Sequence, residues 1–133
     1  MHRYLIRIGA ILGALSVMFS AFSAHFLQPI MSSKDFYSFQ TAINMEFFHS
    51  IGLMILGILG KRYPTPYINW SGIMFIVGIV LFSGSIYLLT LAGSIFDTKI
   101  SMVGLITPVG GLLLFAGWVM LLLGIPESKN DKS

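Results

Sequence analysis

Residues 44–52, NMEFFHSIG, place an asparagine, a glutamate and a histidine inside a run that is otherwise apolar. Glu46 and His49 stand three residues apart, so on a helix they lie on one face. Glu-x-x-His is also a spacing with which helical bundles hold metal ions, and His25 offers a third candidate ligand. Such di-metal bundles use two of these motifs, whereas this chain has one. The same residue types suit two other tasks. One is an interhelical hydrogen-bond network. The other is a site for a substrate, a lipid headgroup or a proton, where histidine titrates near neutral pH. Hydrolytic catalysis finds little support, because no paired carboxylates, no serine–histidine–acid order and no glycine-rich phosphate loop are visible. With no cysteine in the chain, thiolate nucleophiles, disulfides and thiolate zinc sites are excluded. No cofactor and no metal are implied.

The elements that must position these residues are apolar in the extreme. The 133 residues are 56% hydrophobic and 10% charged, against about 25% charged in soluble domains. Four apolar stretches run roughly from Leu5 to Phe26, Ala42 to Gly60, Ile68 to Leu91 and Met102 to Leu123. Each reaches the ~20 residues that cross a ~30 Å hydrocarbon core. A water-soluble bundle would keep one side of each helix polar, and these stretches carry almost no charge on any side. The fold class is therefore all-α: one integral membrane domain of four transmembrane helices, followed by a polar tail over residues 124–133. Nothing resembles a basic groove for nucleic acid.

Lysine and arginine set the expected orientation. Arg3 and Arg7, Lys61 and Arg62, and Lys129 and Lys132 flank one side, against Lys34 and Lys99 beside Asp35 and Asp97 on the other. The positive-inside rule then puts both termini and the middle loop in the cytoplasm. Tyr63, Tyr67 and Trp70 form an aromatic anchor there, with Pro64 and Pro66 stiffening the turn. The start of the chain also has features of a secretory signal, with small residues around Ala21-Phe22-Ser23. Its apolar run exceeds the usual ~7–15 residues, so the first helix is expected to stay.

Small residues mark the faces along which helices meet. Gly9, Gly13, Ser16, Ser20 and Ser23 recur at spacings of 4, 3, 4 and 3 on one narrow face, and Gly9-x-x-x-Gly13 is a pattern that lets backbones approach closely in lipid. Gly110, Gly111 and Gly117 mark a second close-packed face. Ser32 with Asp35 resembles a capping box, so the second helix begins before its apolar core. Pro108 either kinks a fourth helix that starts near Met102, or opens one capped by Thr107. VMFSAF and IVLFSG, in the first and third helices, form a faint internal echo.

Depth links the polar residues. His25 ends the first helix near the outer face, and His49 lies about 10 Å inward on the second at 1.5 Å per residue. Tyr87 is level with it on the third, with Ser83 deeper, and Thr107 stands near the outer end of the fourth. His25, Glu46, His49, Ser83, Tyr87 and Thr107 thus form a candidate cluster at one level. Ionisable groups in a membrane usually face the bundle interior or water.

The stretches FQTAINMEFFHSIGL, LFSGSIYLL and LITPVGGLLLFAGWVML, with GALSVMFSAFSAHFL before them, resemble the signature segments of domain-of-unknown-function family 423. This family is also called uncharacterised protein family 0382 and includes the transmembrane protein 256 group. The likeness covers about Gly9 to Leu122. It marks Ala24, His25, Phe39, Thr41, Ala42 and His49, then Ser83, Gly84, Ser85 and Tyr87. In the last stretch it marks Thr107, Pro108, Gly110, Gly111, Gly117 and Trp118. Where the family usually has glutamine this chain has Glu46, and where it has tyrosine this chain has Phe48. The charge is then this chain's own, which weakens the metal reading. The resemblance implies four helices in the bacterial inner membrane and no particular activity.

Together these readings predict a non-enzymatic envelope protein, structural or accessory, in contact with membrane lipids and with a homo-oligomer or partner membrane protein as candidate company. The alternative is a small transporter or channel subunit with an outward-facing site around His25, Glu46 and His49. Small multidrug exporters share the size and helix count, but they rely on a glutamate in the first helix, and here that helix has no acid.

Overall fold

The computed structural model describes residues 2–96 and 104–128. Asp97, Lys99, Met102, Lys129 and Lys132, used above for orientation and for one start of the fourth helix, lie outside them. Among the described residues four helices make up the bundle: α1, His2–Phe22; α2, Ser33–Arg62; α3, Pro66–Ile95; and α4, Ile106–Gly124. A π turn, Ser23–Leu27, extends α1 to a span of 26 residues. At 1.5 Å per residue the four spans are about 39, 45, 45 and 28 Å long, all near or above the thickness of a hydrocarbon core.

The helices start and stop for local reasons. Ser32 caps α2 by accepting the Asp35 backbone N–H at 3.1 Å. That lets α2 begin nine residues ahead of Ala42, because hydrogen-bonded backbone does not end where hydrocarbon does. Pro66 opens α3 in a first-turn position where a missing N–H costs nothing. Pro108 neither kinks α4 nor is its first residue. It is third in a helix that starts at Ile106, still within the first turn, whose N–H groups have no intrahelical acceptor.

Each helix packs on the next in chain order, α1 on α2, α2 on α3 and α3 on α4. The His2 ring lies against Gly60 and the Thr65 hydroxyl donates to the Gly124 carbonyl at 3.4 Å. These contacts bring the start of α1, the end of α2, the start of α3 and the end of α4 to one end of the bundle. Two apolar clusters fill it: Leu5, Leu53, Leu56, Ile68, Phe75, Ile79 and Leu114 in one, and Leu27, Met31, Phe39 and Ile43 in the other. Outside, large side chains face away from the protein, among them Leu112 at 69% exposure and Leu122 at 74%. Ser16, Ser50, Ser71 and Ser83 are buried to 1% or less. Small polar groups inside and large apolar groups outside is the arrangement that lipid favours, since there close packing and hydrogen bonds hold helices together.

Backbones approach most closely at glycines. A Cβ on Gly9 would stand 2.6 Å from the Ser50 carbonyl oxygen, and one on Gly117 would stand 2.6 Å from the Phe75 ring. A Cβ on Gly110 would run into the Phe82 backbone. Gly13 and Gly111 have more room, at 3.3 Å from Ser50 Oγ and 3.6 Å from Phe82 Cδ2.

Candidate functional site in the bundle core

Residues three apart on a helix share a face but differ by about 60° in direction, and that angle separates Glu46 from His49. Glu46, on α2, turns toward α1 and α3. Its Oε2 accepts a hydrogen bond from Ser16 Oγ at 2.8 Å and another from Tyr87 OH at 3.2 Å. Ser16 also stands 2.8 Å from the Leu12 carbonyl oxygen, so one hydroxyl hydrogen serves two acceptors. Phe19 and Phe39 each place a ring 5.0 Å from that of Tyr87 and fix where its hydroxyl points. Glu46 is 4% exposed, and among the described residues no cation pairs with it.

His49 turns toward α3 and α4. Its Nδ1–H donates to the Met45 carbonyl at 2.7 Å, and its Nε2 accepts the Trp118 indole N–H at 3.0 Å. A carbonyl only accepts and an indole N–H only donates, so these partners define a neutral imidazole with its hydrogen on Nδ1. Phe75 and Trp118 wall the ring, with centroids 5.1 and 5.7 Å from it. Both nitrogens are occupied. A metal ion could bind Nε2 only by displacing the indole, and no group of three metal-ligating side chains occurs among the described residues.

The remaining cluster residues make separate clasps. Ser83 Oγ donates to the Ala42 carbonyl at 2.7 Å, joining α3 to α2. Ser85 and Thr107 hydroxyls meet at 2.5 Å, joining α3 to α4, so Thr107 does not cap its helix. His25 stands apart. It is exposed in the π turn and hydrogen-bonds to neither Glu46 nor His49. The six candidates are therefore a Glu46–Tyr87 pair, a His49 site, two hydroxyl clasps and an isolated histidine.

Sequence reasoning missed several partners. Spacing alone marks Ser16 only as a small packing residue, though its hydroxyl is the nearest donor to Glu46. Ser71, whose Oγ donates to the Gly117 carbonyl at 2.7 Å, was not singled out. Trp118 entered only through the family resemblance. Its signal was available, since an indole N–H within a lipid-spanning helix has to find an acceptor.

A groove of about 470 Å³ runs along the α1–α2 seam between Ser16, Ser20 and Ala24 on one side and Ile43, Asn44 and Phe47 on the other. Ser16 lines it and also touches Glu46, linking the groove to the carboxylate.

Residues 19–111 match the family described as "Protein of unknown function (DUF423)". A UPF0382 membrane protein of Staphylococcus haemolyticus is 41% identical over 117 residues, covering 85% of this chain and 90% of its own. The UPF0382 inner membrane protein YgdD of Escherichia coli is 32% identical over 128 residues, covering 96% of this chain and 93% of its own. No solved structure matches. Four membrane-spanning helices, the matched segment and these relatives place the chain in the inner membrane as a multi-pass protein, and it belongs to the DUF423 family.

Proposed function

We propose that this is a non-enzymatic structural or accessory protein of the cell envelope, in which the buried polar groups fasten four helices into a fixed shape. The observation that carries the reading is His49, clasped between α2 and α4 with both ring nitrogens hydrogen-bonded inside an aromatic wall. A histidine that served protons, metals or substrates would turn a ring nitrogen to a titratable group, a metal or an open cavity, and here both partners are a backbone carbonyl and an indole N–H. The test is stability in detergent. His49→Ala empties a packed site and strands the indole, at a cost of about 2–4 kcal/mol. His49→Gln keeps an acceptor for Trp118 and is expected to be nearly harmless. Wild-type stability in both variants would defeat the idea.

The charge pattern supports both termini on the cytoplasmic side. A reporter fused after residue 133 should be active only if it functions in the cytoplasm, and activity of a periplasm-dependent reporter there would reverse the assignment.

One observation favours a second reading, a small transporter or channel subunit. Glu46 is a buried carboxylate with no cationic partner among the described residues, and its donor Ser16 borders the α1–α2 groove. Glu46→Gln would then abolish proton-gradient dissipation in proteoliposomes. Equal and negligible dissipation by wild type and variant would remove this reading.

A further inference from the structure

At the end of the bundle where α1 begins and α2 stops, His2, Arg3, Tyr4, Arg7 and Lys61 line a cleft of about 430 Å³, within the ~300–1,000 Å³ of small-ligand sites. Its shape follows from two glycines on α2. A Cβ on Gly57 would stand 2.8 Å from the His2 carbonyl oxygen, and one on Gly60 would overlap the His2 ring. Without those side chains α1 settles onto α2, and its cations meet Lys61. Arg3 and Arg7, four residues apart, share one side of α1.

Three cations thus face one space. Among the described residues no acidic side chain lines it, and none of the three has an ion pair or a hydrogen bond. The His2 Nδ1, buried against Gly60, has no hydrogen-bond partner among the described residues. Arg62, the next residue after Lys61, is different. Its Nε–H donates to Tyr63 OH at 3.3 Å, and its guanidinium lies 5.7 Å from that ring's centroid.

We propose that this cleft binds the phosphate of an anionic phospholipid headgroup. Converging unpaired cations repel one another, and an anion relieves the repulsion. The planar guanidinium forks of Arg3 and Arg7 match phosphate oxygens two at a time, and Lys61 adds a mobile point charge. Tyr4 and His2 supply further donors. Position selects lipid over a soluble anion. Arg7 lies five residues along α1 from His2, about 7.5 Å, so the cleft reaches down from the helix ends to headgroup depth. Tyr4, 65% exposed, has the amphipathic ring that settles at that level. The cationic end of a zwitterionic headgroup would meet the same charges unfavourably.

The test uses the full chain in nanodiscs of phosphatidylglycerol and phosphatidylcholine in equal amounts, with lipid retained after detergent extraction measured by mass spectrometry. Wild type is expected to retain phosphatidylglycerol preferentially. Arg3→Gln, Arg7→Gln and Lys61→Gln should each lower that preference about fivefold, while Arg62→Gln leaves it unchanged. All four residues are exposed, so folding is not at stake. A wild-type ratio near one would overturn the proposal. So would an equal drop in Arg62→Gln, which would mean diffuse attraction to charge. A rise in Tm of lipid-free protein with inorganic phosphate that matches the rise with phosphatidylglycerol would assign the cleft to soluble phosphate and overturn the lipid.

Discussion

Replacing Trp118 with phenylalanine keeps an aromatic ring beside His49 and Phe75 but removes the indole N–H that His49 Nε2 accepts at 3.0 Å. The acceptor is then left in a dry pocket, because His49 is only 5% exposed. His49→Phe does the reverse and leaves the indole N–H without an acceptor. The Met45 carbonyl loses only a second hydrogen bond, since as part of α2 it still serves the helix. Removing one partner of a buried hydrogen bond costs about 1–3 kcal/mol, whereas removing both can be nearly neutral. Hydrogen bonds between membrane helices average nearer ~0.6 kcal/mol with a maximum of ~1.7. The double variant Trp118→Phe/His49→Phe should therefore be more stable than the sum of the singles by about 1 kcal/mol, between those bounds. The volume lost from tryptophan appears in the single and the double alike and cancels from the cycle. Reversible unfolding by denaturing detergent, followed by circular dichroism at a fixed micelle composition, measures all four corners. Strict additivity would mean that the indole and imidazole do not hold each other, and His49 would then have no structural role to explain its place.

Other substitutions separate the clasps from the bystanders. Glu46→Gln retains an oxygen for Ser16 and Tyr87 and should change stability by less than about 1 kcal/mol, while Glu46→Ala, which strands the Tyr87 hydroxyl and leaves Ser16 only the Leu12 carbonyl, should cost about 1–3 kcal/mol in the same unfolding assay. Gly110→Ala drives a methyl group into the Phe82 backbone and should lower stability by about 1–3 kcal/mol or more; Gly111→Ala, whose methyl would make an ordinary contact at 3.6 Å from Phe82 Cδ2, should be nearly silent, and equal costs would show that α3 and α4 do not meet as described. His25→Ala removes an exposed side chain and should stay within about 0.5 kcal/mol of wild type. A larger loss would place His25 in a contact that this structure lacks.

How far the sequence carries depends on which coordinate is asked for. Position along the chain was legible. Four apolar runs locate α1 to α4, because crossing hydrocarbon demands both length and the absence of charge. The ends were less so. Ser32 was readable as a cap, yet α4 starts at Ile106, between the two starts that Met102 and Pro108 suggested, because any first-turn position tolerates proline. Gly9 and Gly110 lie where backbones meet closely and Gly117 lies against the Phe75 ring, but a glycine's neighbour cannot be named from its spacing. Nothing in residues 9–13 points to the Ser50 carbonyl.

Neither the common level nor the direction of the polar residues was legible: His49 meets Trp118 and Thr107 meets Ser85, and Thr107 and Trp118 lie eleven residues apart on α4, about 16 Å. Counting residues puts Glu46, His49, Tyr87 and Thr107 near one level, and that shared level suggests a single cluster. Packing distributes them around the bundle instead. About 60° of helical rotation sends Glu46 to Ser16 and Tyr87, and His49 to Trp118. The π turn leaves His25 on the outside, a change of direction that no spacing in SAHFL announces. The two fates of α2's polar residues also differ in what they leave available. His49 has no unused nitrogen, so its chemistry is consumed by holding α4. Both hydrogen bonds of Glu46 fall on Oε2, and the helix that supplies its serine borders a groove. If one residue of the core does more than hold helices together, the geometry singles out Glu46, and the Glu46→Gln variant separates the two roles: its stability should hardly move, so any activity it loses is not a folding defect.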